Sequence, residues 1–346
     1  MAQPKIYQPI HPDIAGKLLD EYAAFHNKHL AHTVPVHEIP WDPSIRNTPA
    51  VLGGSQPLKV GGIKDYSLSK CLAEVYVFPA ISALTVFHVP IGGWTLGTID
   101  TENSFSTNMC NRARCVVVSV DYRLGPENPY PAAVEDAIEA LQWVYSQGKT
   151  TLGIDPARIA VGGSSRSVRR PELQRVVRSP ASSGGNLAAI ITHKAAALEP
   201  PIPLVFQLLV VPVVDNTADT ENGRYLSWKE NANTVSLVPA KMLWFRNNYS
   251  PNKEDWTKWD NSPIFAPEES FKKAPPAWIA VAELDILRDE GIAYGEKLKQ
   301  AGVSAEVKVY KGAPHPIMAM DGNALEIGKQ LVADAGAALA KAFGSA

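Results

Sequence analysis

Apolar and polar positions alternate along this chain in blocks that read as strands and helices taking turns. The run Cys115 to Val120 (CVVVSV) is almost continuously apolar and β-branched, the pattern of a strand covered on both faces in a parallel sheet. Behind Pro131, Val134, Ile138, Leu141 and Val144 or Tyr145 recur at helical spacing, with Glu135, Asp136 and Glu139 expected outward. Asp155 to Val161 gives the next strand, and further strands are expected at Leu204 to Val214, Trp278 to Val281 and Glu306 to Tyr310. A helix around Ile286 to Gln300, ended by Gly302, and a final Ala-rich helix complete the pattern. Upstream, Ala73 to Phe78 and Leu84 to Phe87 are short strand candidates flanking a loop with Pro79, arranged as a hairpin. The alternation predicts an α/β fold, a mostly parallel central sheet covered by helices on both faces.

Two regions depart from it. Residues His11 to His26 set Ile14, Leu18, Tyr22 and Phe25 on one stripe behind a Pro12-Asp13 start, which predicts an amphipathic helix, and Thr33 to Asp65 is loop-like. Between Asp215 and Phe271 stand Trp228, Trp244, Phe245, Tyr249, Trp256 and Trp259 among polar residues, with a helical pattern near Pro239 to Asn247. Such an insertion belongs over the carboxyl edge of the sheet, where open α/β sheets bind ligands. The expected division is an N-terminal cap segment and loop over 1–65, a core over 66–214 and 272–346, and a second cap segment over 215–271.

Composition narrows the function. With 33 basic and 35 acidic residues the chain has no broad field to attract nucleic acid or an anionic membrane, so a small uncharged partner is expected. The three cysteines, Cys71, Cys110 and Cys115, make no disulfide framework and sit at no metal-ligand spacing. The stretch MAQPKIYQPIHPDIA has no apolar signal core, and no run approaches about 18 uninterrupted apolar residues, which points to a cytoplasmic protein without stable membrane insertion.

The chemistry gathers around Ile159 to Ile190, IAVGGSSRSVRRPELQRVVRSPASSGGNLAAI. Its ends read as a strand finishing in glycines and a small-residue helix. Joined directly they satisfy G-x-S-x-G, the sharp strand-to-helix turn that exposes a serine hydroxyl above an α/β sheet. Here 17 residues, 166–182, come between, with arginine at 166, 169, 170, 175 and 178. Serine hydrolysis also needs a base, an orienting carboxylate and oxyanion donors. Asp285, directly after an apolar strand, is the candidate carboxylate, with a helix N-cap as its structural alternative. His315, in the loop after the next strand, is the candidate base. Gly92 and Gly93, after the strand at Phe87, lack Cβ atoms and offer backbone N–H groups for an oxyanion.

DYRLGPENPYPAAVEDA, GGWTLG after a strand ending in His, SGGNLAA, LDIL and GAPHP together resemble the hormone-sensitive-lipase-like branch of the α/β-hydrolases, from about Ala73 to the C-terminus. The resemblance implies an α/β-hydrolase fold with a helical cap and hydrolysis of a small-molecule carboxylic ester through an acyl-enzyme. It implies no metal or cofactor, Asp285 as acid, His315 as base, and Gly92 and Gly93 as the oxyanion loop.

Two departures follow. The family pattern H-G-G-G-W is interrupted here by Val89, Pro90 and Ile91 between His88 and Gly92, and Pro90 has no N–H. The nucleophile has two registers. Ser165 has Gly163 at −2 but Ser167 at +2; Ser182 has Gly184 at +2 but Pro180 at −2. Ser182 is favoured because the N–H of Ser183 and the positive helix end lie directly behind it. The insert has the length of a short intron read in frame. The competing expectation is an impaired relative, its turn broken, that at most binds a small molecule.

Overall fold

Apolar continuity decides which strands lie innermost. In the computed structural model, which describes residues 5–47, 54–78, 85–89, 92–97, 103–163, 182–315, 317–322 and 325–345, the described strands form one eight-stranded sheet. In chain order they are β1 (Gly62–Ser67), β2 (Leu72–Val77), β3 (Thr85–Val89), β4 (Val116–Asp121), β5 (Ile159–Gly163), β6 (Leu204–Val210), β7 (Ala277–Ala282) and β8 (Ala305–Tyr310). Across the sheet the order is β1-β2-β4-β3-β5-β6-β7-β8. β2 runs antiparallel to β1 and β4, and every other pairing is parallel.

The helices are α1 (Pro12–Ala15), α2 (Asp20–His29), α3 (Asn103–Ala113), α4 (Ala132–Leu152), α5 (Ser183–Ala197), α6 (Ser227–Glu230), α7 (Pro239–Tyr249), α8 (Glu268–Lys272), α9 (Arg288–Gln300) and α10 (Glu326–Phe343). They cover both faces. Val116, Val118 and Val120 of β4 pack in one cluster with Val134, Leu141 and Val144 of α4 and Leu187 and Ile190 of α5. Val117, from the same strand, joins Phe105 and Met109 of α3 and Leu331 and Leu339 of α10 on the other face. Two-sided burial is why β4 has no polar face.

Four expectations are corrected. β2 and β3 are no hairpin: β2 pairs with β1 and β4, while β3 lies between β4 and β5. The missing partner, β1, is GIKDYS, an edge strand with an almost wholly exposed pattern and hence no apolar alternation to read. The N-terminal stripe is one face but two helices, broken between Ala15 and Asp20, where the Leu19 N–H donates to Gly312 O at 3.1 Å. Ile14, Leu18, Tyr22 and Phe25 are nonetheless all buried, in a cluster with Val235, Leu284 and Met320. Asp136 points inward, fully buried, accepting from the Arg123 backbone N–H at 2.8 Å and from its guanidinium at 2.7 Å. Last, β6 stops at Val210 because Val211 adopts φ +41°.

Candidate active site

Register brings the strand ends together. Val89 of β3 pairs with Gly163 of β5, Gly163 with Leu209 of β6, and Ala282 of β7 with Tyr310 of β8. The segments following β3, β5, β7 and β8 therefore leave one carboxyl edge, and each carries a group singled out in the sequence.

The segments after β7 and β8 are pinned to one another: the Glu283 N–H donates to Tyr310 O at 3.0 Å and the Leu284 N–H to Ala313 O at 2.9 Å. This brings His315 Nδ1 within 2.6 Å of Asp285 Oδ2, with both side chains buried. The other carboxylate oxygen, Oδ1, accepts the Leu287 N–H at 3.0 Å, just ahead of α9. Asp285 thus meets the imidazole with one oxygen and the Leu287 N–H with the other; the N-cap of α9 is Leu287, not Asp285, so the helix N-cap expected as the alternative for Asp285 falls two residues further on.

At the β5–α5 turn the strand end and helix start are in contact. A Cβ on Gly163 would lie 1.9 Å from Gly184 O, although residues 164–183 separate the two in sequence. Ser165 and residues 166–181 of the insert lie outside the described residues. Ser182 is the buried N-cap of α5, with φ −120° and ψ −23°; its carbonyl accepts the Asn186 N–H at 3.1 Å and the Val213 N–H at 3.3 Å. The Ser183 Oγ accepts the Gly92 N–H at 3.3 Å and lies 3.3 Å from the Tyr122 hydroxyl. Tyr122 belongs to the DYRLGPE motif, and its place beside Ser183 was not foreseen; position immediately after β4 is the only signal for it.

The loop after β3 is tightly folded. A Cβ on Gly92 would lie 1.4 Å from Leu96 O, and one on Gly93, at φ +59°, 2.3 Å from the Phe245 ring. Trp94 holds φ +57°, left-handed backbone that costs an L-residue about 1–2 kcal/mol. The surroundings hold it there: its indole stacks on Tyr249 at 4.3 Å, its carbonyl accepts the Gly125 N–H at 2.8 Å, and Arg46 Nε donates to the adjoining Thr95 carbonyl at 2.8 Å. Strain retained beside a ligand edge is a common mark of functional loops. Pro90 and Ile91 fall outside the described residues. Among the described residues no helix is long and apolar enough to cross a membrane, and no group of three His, Cys, Asp or Glu is placed to hold a metal ion.

A family model described as the alpha/beta hydrolase fold matches residues 86–166 and 172–319. An AB hydrolase superfamily protein of Schizosaccharomyces pombe is 42% identical over 351 residues, covering 97% of each chain. The carboxylesterase NlhH of Mycobacterium tuberculosis is 38% identical, over 62% of this chain and 60% of its own length. Among solved structures, a thermostable esterase from Pseudomonas putida superposes with TM-score 0.77 at 28% identity, covering 94% of this chain and 98% of its own. A thermophilic carboxylesterase cloned from a metagenomic library superposes with TM-score 0.71 at 31% identity, covering 83% and 91%.

Proposed function

The chain belongs to the α/β-hydrolase family, in its hormone-sensitive-lipase-like branch of carboxylesterases, and on that premise we propose that it hydrolyses short or medium apolar acyl esters through a serine acyl-enzyme. The observation that carries the proposal is the 2.6 Å contact of His315 Nδ1 with Asp285 Oδ2 on the edge shared with the β5–α5 turn. Asp285 fixes the imidazole with its Nδ1–H toward the carboxylate, which assigns proton transfer to Nε2. His315 takes the proton of the attacking serine hydroxyl as the ester carbonyl becomes tetrahedral. It returns that proton to the departing alcohol, leaving an acyl-serine that water cleaves by the same steps. The N–H groups of Gly92, Gly93 and Ser183 are the proposed oxyanion donors. Substrate oxygen then competes with the Ser183 Oγ for the Gly92 N–H.

Ser182 is the proposed nucleophile, since it stands at the N-terminus of α5. Ser165 is the other register. Residues 62–65 of the expected first cap segment belong to β1 of the sheet, so residues 1–61 and 215–271 are read as the two cap segments; in support, Phe245 and Tyr249 of α7 pack on the glycine loop and Trp41 meets Trp244 at 6.0 Å. These aromatic side chains beside the glycine loop are the reason for proposing an apolar acyl group. The impaired-relative reading draws on the 17 residues, 166–182, that interrupt G-x-S-x-G. Incubation with a fluorophosphonate probe and p-nitrophenyl butyrate, followed by peptide mapping, separates the readings. Label on Ser182 with turnover is expected; label on Ser165 moves the register, and no label with no turnover overturns the esterase proposal.

A further inference from the structure

The segment carrying Asp285 is held in place by side chains from far away in the sequence. Four successive carbonyls, those of Glu283, Leu284, Asp285 and Ile286, each accept a hydrogen bond from residues 227–234. Asn231 Nδ2 donates to Glu283 O at 3.1 Å and to Asp285 O at 2.9 Å. Thr234 Oγ1 donates to Leu284 O, and Ser227 Oγ to Ile286 O at 2.6 Å. The three donor residues are buried, as are Leu284, Asp285 and Ile286. Contacts in the other direction close the seam: the Ser227 N–H donates to Asp289 Oδ2 at 2.8 Å, and Arg288 pairs with Glu230 at 2.7 Å.

A strand-to-helix connection this deeply buried must satisfy its carbonyls, and its own backbone does little of that work here. The Asp285 carbonyl accepts the Arg288 N–H at 3.3 Å, beside the shorter bond from Asn231. Anchoring the carbonyls on both sides of the Asp285 Cα fixes the peptide planes there, and so the direction of its Cα–Cβ bond. That direction determines whether Oδ2 meets Nδ1 at hydrogen-bond distance. A displacement of about 1 Å in a catalytic group is enough to cost about a hundredfold in rate.

We propose that Asn231, supported by Thr234 and Ser227, is a positioning residue for the Asp285 carboxylate. The 215–271 segment therefore sets the geometry of the acid–base pair in addition to covering substrate. The inference rests on reading Asp285 and His315 as that pair, and its test has one readout that needs no turnover.

Asn231→Asp keeps the side-chain shape and removes the donor. Thr234→Val does the same for the hydroxyl, and Thr234→Ser restores it. In the full-length protein, kcat for p-nitrophenyl butyrate is expected to fall about tenfold or more in Asn231→Asp, with KM within about twofold of the parent. Thr234→Val should show a smaller loss that Thr234→Ser recovers. In parallel, the low-field proton resonance of the His315 Nδ1–H bond, identified by its loss in His315→Gln, should shift or broaden in Asn231→Asp and Thr234→Val but not in Thr234→Ser. A raised KM with unchanged kcat, or a resonance identical in all folded variants, overturns the proposal. Should Asn231→Asp fail to give a cooperative thermal transition, the Thr234 pair decides alone. If the parent shows no turnover, the esterase reading fails while the resonance still tests the positioning role.

Discussion

Two histidines show how differently one residue type is used in this chain. His315 meets a carboxylate; His193, fully buried in α5, meets only neutral groups, with Nδ1 2.8 Å from Ser270 Oγ, Nε2 3.0 Å from the Tyr294 hydroxyl and the Phe271 ring edge-on at 4.8 Å. Burial pushes its pKa down to about 4, partly offset by the bond to Ser270. The unfolded chain binds this proton near the ordinary value of about 6.5, so the stabilising contribution is complete above pH 6.5 and is lost as the pH falls from there toward 4. It amounts to about 3 kcal/mol across that window. Urea denaturation at pH 7.5 and pH 4.5 should show a smaller acid loss for His193→Gln than for the parent; parallel losses would rule the account out. For the proposed pair, Asp285→Asn should lower kcat about 10³- to 10⁴-fold by giving the imidazole the wrong tautomer, and full activity in that variant would remove Asp285 from the mechanism. Asp285 and His315 could be singled out from the sequence because each lies in the loop that follows a strand, β7 ending at Ala282 and β8 at Tyr310. Asn231, Thr234 and Tyr122 were not: isolated polar residues carry no periodic signal, and their roles arise only where distant segments meet.

Among the elements, buried strands were read more easily than exposed ones. β4, β5 and β7, buried almost throughout, were visible as apolar runs, while β1 was hidden by its exposure and took the pairing of β2 with it. The N-terminal stripe was readable as a face; its break was not, because the interruption comes from a tertiary bond between Leu19 and Gly312. The end of β5 and the start of α5 meet closely. Gly163→Ala sets a methyl group 1.9 Å from the Gly184 carbonyl, a backbone atom that cannot swing aside. A destabilisation of about 2 kcal/mol or more is expected in chemical denaturation, within the range for overpacked interiors. Gly62→Ala, at a site with nothing within 4 Å, is the control and should leave stability unchanged. Equal behaviour of the two variants would mean that the strand end and helix start are not in contact.

For the molecule as a whole, the fold class and its helix-covered sheet follow from alternating elements, but residues 166–182 do not follow from the fold. The family match breaks between 166 and 172, inside this segment. Gly163 and Gly184 already touch, so β5 and α5 need no intervening chain to meet. Removing residues 166–182 joins Ser165 to Ser183 and restores G-S-S-S-G, a turn with glycine at both required positions and α5 directly behind it. Replacing a long connection by a tight turn also lowers the entropy cost of closure, by about 1–2 kcal/mol for a shortening of this size. The deletion variant is therefore expected to melt no lower than the parent, to hydrolyse p-nitrophenyl butyrate much faster, and to take fluorophosphonate label on Ser165. In the full-length chain Ser182 competes for that role from the helix side. A deletion variant that folds yet neither turns over ester nor takes label would show that the insert is not what separates this chain from an intact turn. The oxyanion loop, with its extra residues before Gly92, would then be the place to look.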